Sequence, residues 1–382
     1  MKIPIAIPYL GKEEAQSAYD TILSGWVTQG PRVEKFEEDF ANYVGSKYAV
    51  AVSSCTSALH LSLICKNIGP GDEVICPSMS FIATVNAIKY VGATPVFAEV
   101  GNDYNLEISD FTDRITKNTK AMILVHQIGN PGDIDAFQQI CNNKNIALIE
   151  DAACAVGSSY KGEKIGSHSE LVCFSFHPRK VITTGDGGMI TTNNKDYYER
   201  LIRLRQHGMT INDRDRHSSK KIVIEGYDEV GYNYRMTDIQ AAIGIQQLKK
   251  VDWIVEERRK IAKKYIVALS DINCIQLPSE PEHSIYNYQS FSIYIDATSP
   301  VNRNELMQYL LEKGISSRRG IMTSHREQAY EYMEVSLPFS EDQSDNSIIL
   351  PLYVTMASSD INYVIDNLRA LLVEKTVKLS TS

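Results

Sequence analysis

Phe174-Ser175-Phe176-His177-Pro178-Arg179-Lys180, followed by Thr183-Thr184-Gly185-Asp186-Gly187-Gly188, is the stretch that decides how this chain is read. The pattern predicts an apolar strand over 171–176, a turn holding Lys180, a glycine cluster and a second strand over 189–192. An ammonium is costly to bury without a partner, so most lysines stay in water. This one is fixed at a strand end among small residues that leave room beside it, which is what a catalytic amine requires. A solvated lysine in a surface turn satisfies the same local pattern. The rest of the chain has to separate the two.

Working outward, short apolar runs alternate with helical spacing. Residues 48–52, 73–76, 94–98, 121–125 and 146–149 read as strands, and 82–91 and 134–143 as helices. This alternation predicts an α/β fold with a mostly parallel sheet flanked by helices. Ligands of such sheets bind beyond the carboxyl ends of the strands. Three polar sites gather there: Ser53-Ser54-Cys55-Thr56-Ser57, Asp151 in Glu150-Asp151-Ala152-Ala153, and the Lys180 turn. The first opens directly into a helix, so N–H groups and hydroxyls meet where a phosphate can dock. Simple capping by serine or threonine uses the same residues.

Toward the N-terminus, 11–23 and 32–44 have helical spacing, the second with Val33, Phe36, Phe40 and Tyr43 on one face. Toward the C-terminus, a helix over 195–207 precedes a polar connection, 210–229, interrupted by Ile222-Val223-Ile224. A connection that long inside a domain is usually functional or mobile. Gly231-Tyr232-Asn233-Tyr234-Arg235-Met236-Thr237-Asp238 then caps a helix over 239–248 that continues to about residue 269. The break at Lys249-Lys250-Val251 is the expected boundary between a large domain, 1–248, and a smaller C-terminal α/β domain, 249–382. In the latter, 289–295 and 348–352 read as strands and 302–312 and 360–373 as helices.

Of 382 residues, 43% are hydrophobic and 23% charged, an ordinary balance for a soluble globular protein. A net charge of -8 argues against nucleic acid as a partner, so an anionic ligand would need a local basic pocket. No apolar run is long enough for a membrane span and no secretory signal is visible. The seven cysteines are odd in number and lack zinc-like spacing, so no metal is expected and reduced thiols in a cytoplasm fit best.

A strand-end carboxylate, a turn lysine and a hydroxyl-rich helix start are the parts that a pyridoxal phosphate (PLP) enzyme needs. A lysine amine holds the cofactor aldehyde, a carboxylate keeps the pyridine nitrogen protonated, and the helix start takes the phosphate. Phe81, just after a strand, is a candidate to stack on the ring, although core packing explains a phenylalanine equally well. No G-x-G-x-x-G follows the first strand, which disfavours a nucleotide-binding dehydrogenase.

From about Gly25 to Leu372 the chain resembles the DegT/DnrJ/StrS family of sugar-nucleotide aminotransferases, of PLP fold type I. The resemblance is carried by Gly25-Trp26-Val27-Thr28-Gln29-Gly30-Pro31, 53–60, 71–75, 80–84, 149–153, 174–188 and 231–240, in that order. It implies that Lys180 holds PLP and shuttles the proton, Asp151 pairs with the pyridine nitrogen, and Phe81 stacks on the ring. Thr56, Ser57 and Ser175 would bind the phosphate, and Asn233 would reach the cofactor of a neighbouring subunit, which requires a homodimer with shared sites. Cys154 stands at a cofactor-contacting position where the family often has Gln, Glu or His, and a thiol is a weak donor. His177 replaces a frequent Tyr or Phe beside the site. Arg235 and His325 are the implied substrate residues, with Gln328 replacing a proline of the segment that carries His325, and Arg318 and Arg319 are candidates to line the groove for a sugar nucleotide's diphosphate.

The implied reaction moves the amino group of L-glutamate to a nucleotide-linked ketosugar, for surface polysaccharide such as lipopolysaccharide O-antigen or for secondary metabolites. The form of the Lys180 motif resembles members that act on 4-keto-6-deoxy sugars more than those acting at C3. Related dehydratases that use pyridoxamine phosphate carry histidine where Lys180 stands. A non-catalytic PLP-binding regulator would have lost Lys180, Asp151 or the hydroxyls, and none is lost.

Overall fold

Two helices precede the first strand in the computed structural model, which describes residues 2–211 and 224–373. Ile222 and Val223, in the apolar break of the polar connection, lie outside them. Helix α1 spans Lys12–Leu23 and α2 spans Pro31–Val44. Pro31 suits the first turn of α2, where its missing N–H costs nothing, and Gly45 ends the helix at φ 79. Val33, Phe36 and Phe40 are buried on one face. The ring centroid of Phe40 lies 5.0 Å from that of Phe174, and that of Phe36 lies 5.2 Å from that of Phe176. Each buried phenylalanine contributes roughly 1.5–3 kcal/mol, so α2 anchors the strand that leads into the Lys180 turn.

The strands and helices that follow alternate as expected: β1 (Tyr48–Val52), α3 (Cys55–Cys65), β2 (Glu73–Pro77), α4 (Ala83–Tyr90) and β3 (Thr94–Ala98). Then come α5 (Ile108–Asp113), β4 (Thr119–Val125), α6 (Ile134–Lys144) and β5 (Ala147–Asp151). Short strands β6 (Ser159–Tyr160) and β7 (Glu163–Lys164) precede β8 (Leu171–Ser175), β9 (Gly188–Thr192) and α7 (Lys195–Leu204). The central sheet has the order β1-β9-β8-β5-β4-β2-β3. Strands β8, β5, β4, β2 and β3 pair in parallel, whereas β9 runs antiparallel to both β1 and β8. The sheet is therefore mainly parallel and helix-flanked. Its strands are buried on both faces, as continuous apolar runs such as Ala121–Val125 require.

Helix α8 (Asp238–Leu248) is capped reciprocally by Thr237 and Gln240. The Asp238 carboxylate accepts from the backbone N–H groups of Gly30, Arg32 and Val33, which ties α8 to the start of α2. Helix α9 (Val251–Leu269) begins at the lysine pair. Its first turns, through Val255, pack in the core around Phe36 and Phe40. Its later turns, from Ile261, pack in a second core.

That second core lies under a four-stranded antiparallel sheet in the order β10 (Ile275–Gln276), β12 (Phe291–Ile295), β14 (Ser347–Leu350), β13 (Arg318–Arg319). The remaining elements, in chain order, are β10 (Ile275–Gln276), β11 (Ser284–Ile285), β12 (Phe291–Ile295), α10 (Arg303–Glu312), β13 (Arg318–Arg319), α11 (Pro338–Asn346), β14 (Ser347–Leu350) and α12 (Ser358–Leu372). Strand β11 joins β6 and β7 in a small third sheet, linking the later part of the chain to the central one. The N-terminus does the same: Ile3 N donates to Gly314 O at 2.7 Å and Ser316 N to Ile3 O at 2.8 Å.

Candidate active site

The carboxyl ends of β5 and β8, the N-terminus of α3 and the β13–β14 pair enclose a cavity of about 410 Å³. Thr56, Phe81, Asp151, Cys154, Ser175, Lys180 and Arg318 all line it. The three polar sites that the sequence placed at strand ends are thus one site in space.

Asp151 closes β5 and is 5% exposed. Thr84 Oγ1 donates to its Oδ2 at 2.8 Å, and Ala153 N donates to its Oδ1 at 3.1 Å. The Cys55 thiol reaches the same Oδ1 at 3.9 Å. Every one of these donors is neutral. A buried carboxylate held by neutral donors keeps its demand for a cation, and the cavity is where one can be supplied. Burial pushes the Cys55 thiol pKa well up, with Asp151 adding to the effect, so it remains a thiol.

Lys180 sits across the cavity, half-buried, with its backbone N–H bonded to His177 O at 2.8 Å. Its Nζ donates to Cys154 Sγ at 3.1 Å. Burial opposes charge on this amine, but the Cys154 sulfur and, further off, Cys55 and Asp151 outweigh it and hold its pKa above the ordinary lysine value. Burial and the charges of Arg179 and Lys180 push the His177 pKa down, with Asp186 opposing them.

At the start of α3 the Ser54 hydroxyl accepts from Ser57 N at 3.1 Å. The Ser57 hydroxyl lies 3.0 Å from those of both Ser53 and Ser54. A first helical turn leaves its leading N–H groups without intrahelical acceptors, and here those of Cys55 and Thr56 are in that position. Ser175 ends β8 opposite Gly188. A Cβ on Gly188 would lie 2.5 Å from Ser54 C and O and 2.7 Å from Cys55 N. Only glycine lets β9 come this close to the helix start, and that closeness puts Ser175 beside it.

These features fit PLP. A buried carboxylate with only neutral donors suits a protonated pyridine nitrogen, a helix N-terminus with hydroxyls suits a phosphate, and an amine beside both suits the aldehyde. Phe81 is 63% exposed and lines the cavity, so core packing does not account for it. Among the described residues no group of His, Cys, Asp and Glu could hold a metal ion.

The remaining expected residues lie outside this cavity, as Asn233 must if it serves a neighbouring subunit. Asn233 is exposed and Arg235 half-buried, the latter bridged through its backbone to Val52, and neither lines the cavity. His325 is buried outside the lining, with Nδ1 on the Ser78 hydroxyl and Nε2 3.0 Å from Glu341 Oε1. Arg319 turns away from Arg318 to Glu327 at 3.3 Å. Sequence reasoning missed Thr84, Gly188 and Arg179. Thr84 belongs to a quoted motif and Gly188 to the glycine cluster, but their contacts, with Asp151 and Ser54, are long-range.

Comparison with known proteins agrees with this geometry. SpsC of Bacillus subtilis (strain 168), a spore coat polysaccharide biosynthesis protein, is 36% identical over 96% of this chain and 96% of its own. The crystal structure of the aminotransferase TlmJ from Streptoalloteichus hindustanus superimposes with a TM-score of 0.89, at 32% identity and with 100% of both chains covered. Spr1654 from Streptococcus pneumoniae in its PLP form gives a TM-score of 0.90 at 27% identity, covering 99% of each chain. Residues 8–369 match the model of the DegT/DnrJ/EryC1/StrS aminotransferase family; the chain belongs to that family, and it is a PLP-dependent sugar aminotransferase.

Proposed function

We propose that the protein transfers the amino group of L-glutamate to C4 of a nucleotide-linked 4-keto-6-deoxy hexose. The observation that carries this reading is a cavity running from Asp151 past Lys180 to Arg318 on the second sheet. It has room for a substrate beyond the cofactor, and it becomes basic on the far side. The choice of C4 rests on the form of the Phe176–Gly188 motif.

In this reading Lys180, Asp151, Thr56, Ser57, Ser175, Phe81 and Cys154 hold PLP, with Asn233 contributed by the other subunit of a homodimer. The large domain, 1–248, would bind the cofactor, and 249–382 would help to select the sugar. The cofactor supplies an electron sink, which lets a C–H bond beside nitrogen break. Lys180 Nζ takes the proton from the α-carbon of glutamate and, in the second half of the cycle, delivers one to the sugar carbon. One base serves both directions. Asp151 fixes the orientation and Phe81 keeps water from the open face. A cytoplasmic place in the making of surface polysaccharide or of a secondary metabolite fits such a product.

The test has two stages. Purified protein should absorb in the near-ultraviolet to blue region, and L-glutamate should bleach the longer-wavelength band. Bleached enzyme should then aminate a 4-keto-6-deoxy sugar nucleotide faster than a 3-keto one. Faster turnover of the 3-keto sugar would overturn the C4 assignment, and failure to aminate any sugar nucleotide would overturn the substrate class.

A further inference from the structure

Arg179 and Arg318 both line the cavity, one on the residue before Lys180 and the other on β13 across from it. Among the described residues neither guanidinium has a carboxylate or hydrogen-bonding partner. Most of the other described arginines are paired. Arg114 is bonded to Asp110, Arg259 to Glu280, Arg326 to Asp345 and Arg369 to Asp271. The two free cations are also close enough to repel. Burial and the charge of Arg318 push the Arg179 pKa down. Both side chains are exposed, so water screens the pair, and an anion between the two relieves the repulsion that remains.

The backbone of Arg179 is held on both sides. Its N–H donates to His177 Nδ1 at 3.2 Å, and its carbonyl accepts from Gln289 Nε2 at 2.7 Å. The position of the side chain root is therefore fixed relative to Lys180. With a net charge of -8 the protein as a whole repels anions, so the local pair has to supply the attraction.

We propose that Arg179 and Arg318 form an oxyanion clamp for the side-chain carboxylate of the amino donor. This rests on glutamate being the donor. The place of Arg179 directly before Lys180 favours the carboxylate over the diphosphate of the sugar nucleotide. The carboxylate carbon of glutamate is three bonds from its reacting carbon, within about 4 Å, whereas a hexose ring and a glycosidic oxygen separate C4 from phosphorus. Guanidinium groups bind carboxylates with paired, charge-assisted hydrogen bonds, and losing one such contact weakens binding by about tenfold to a hundredfold.

The test titrates the holoenzyme with glutarate, an unreactive dicarboxylate, and separately with UDP. Arg179→Gln and Arg318→Gln should each weaken glutarate binding by about tenfold or more and leave UDP binding unchanged. Added salt should weaken glutarate binding to wild type more than to either variant. The Michaelis constant for glutamate should rise in the variants. Unchanged glutarate affinity, or a loss confined to UDP, would overturn the clamp. Wild-type enzyme that is not bleached by glutamate would instead overturn the donor assignment, and the two failures are separate readings. Neither guanidinium makes an internal bond and each substitution removes a repulsion, so melting temperatures should equal or slightly exceed wild type and report that folding is intact.

Discussion

Gly188→Ala is the substitution whose effect the structure allows to be worked out most directly. The added Cβ would sit 2.5 Å from Ser54 C and O and 2.7 Å from Cys55 N, all backbone atoms at the mouth of α3. Ordinary contact begins near 3.4 Å, so β9 and the helix start must part by about 0.9 Å. No side chain can swing aside to absorb this. Overpacking of this kind costs about 1–3 kcal/mol. In the unbound protein the two elements can relax apart. In the proposed site the phosphate needs Ser175, which pairs with Gly188, and the α3 N-terminus together again, so the strain would return on binding. The expected result is a PLP dissociation constant raised about 5- to 150-fold. Apoprotein titrated with PLP and followed by absorbance gives this constant, and a melting curve gives the stability change. If G188A melts lower yet binds PLP as wild type does, the spacing between β9 and α3 does not set phosphate affinity, and the reasoning fails.

Other expectations concern the two charged ends of the site and a pair beneath it. Asp151→Asn should slow the glutamate half-reaction about 10- to 150-fold, because a neutral amide would not hold the cofactor's ring nitrogen protonated, and stopped-flow absorbance checks this. Thr84→Val removes the 2.8 Å hydrogen bond to Asp151 and should lower the same rate by about tenfold while leaving the volume unchanged. Cys154→Ala removes the largest contribution favouring charge on Lys180, so the pH midpoint for PLP capture by apoprotein should move down. Burial would raise the pKa of Glu150, but the hydrogen bond and charge of His126 outweigh it and leave it below the ordinary glutamate value. The stability from this group is present above that ordinary value and is lost as pH falls through the folded value. Melting temperatures measured from about pH 6 down to about pH 3 should therefore fall less steeply for Glu150→Gln than for wild type.

The fold was legible where order is set within a few residues. The strand at 48–52 coincides with β1 and that at 94–98 with β3, because apolar runs and their flanking glycines and polar residues are local signals. Helix α2 was legible for the same reason, from the spacing of Val33, Phe36, Phe40 and Tyr43, and it begins one residue earlier than that spacing marks, at Pro31. Short or polar elements were not. The two-residue strands β6, β7 and β13 exist only because partners hold them, and α11 carries too few apolar residues to show a periodicity. The expected continuous helix over 239–269 is two helices, α8 and α9, that meet at Lys249 and Lys250.

By itself the sequence determined the alternation of strands and helices, the polar residues at strand ends and, through a set of ordered motifs, the family. These depend on neighbours along the chain. Only the tertiary structure decided that β9 is inserted antiparallel between β1 and β8, which brings Gly188 against Ser54 and Ser175 beside α3. Only it decided that Thr84 holds Asp151, that Phe81 is left open, and that Arg179 shares a cavity with Arg318. Such contacts join residues far apart in the chain, and nothing in the local pattern of either partner encodes the distance between them. It is set by sheet order and by the packing of two cores.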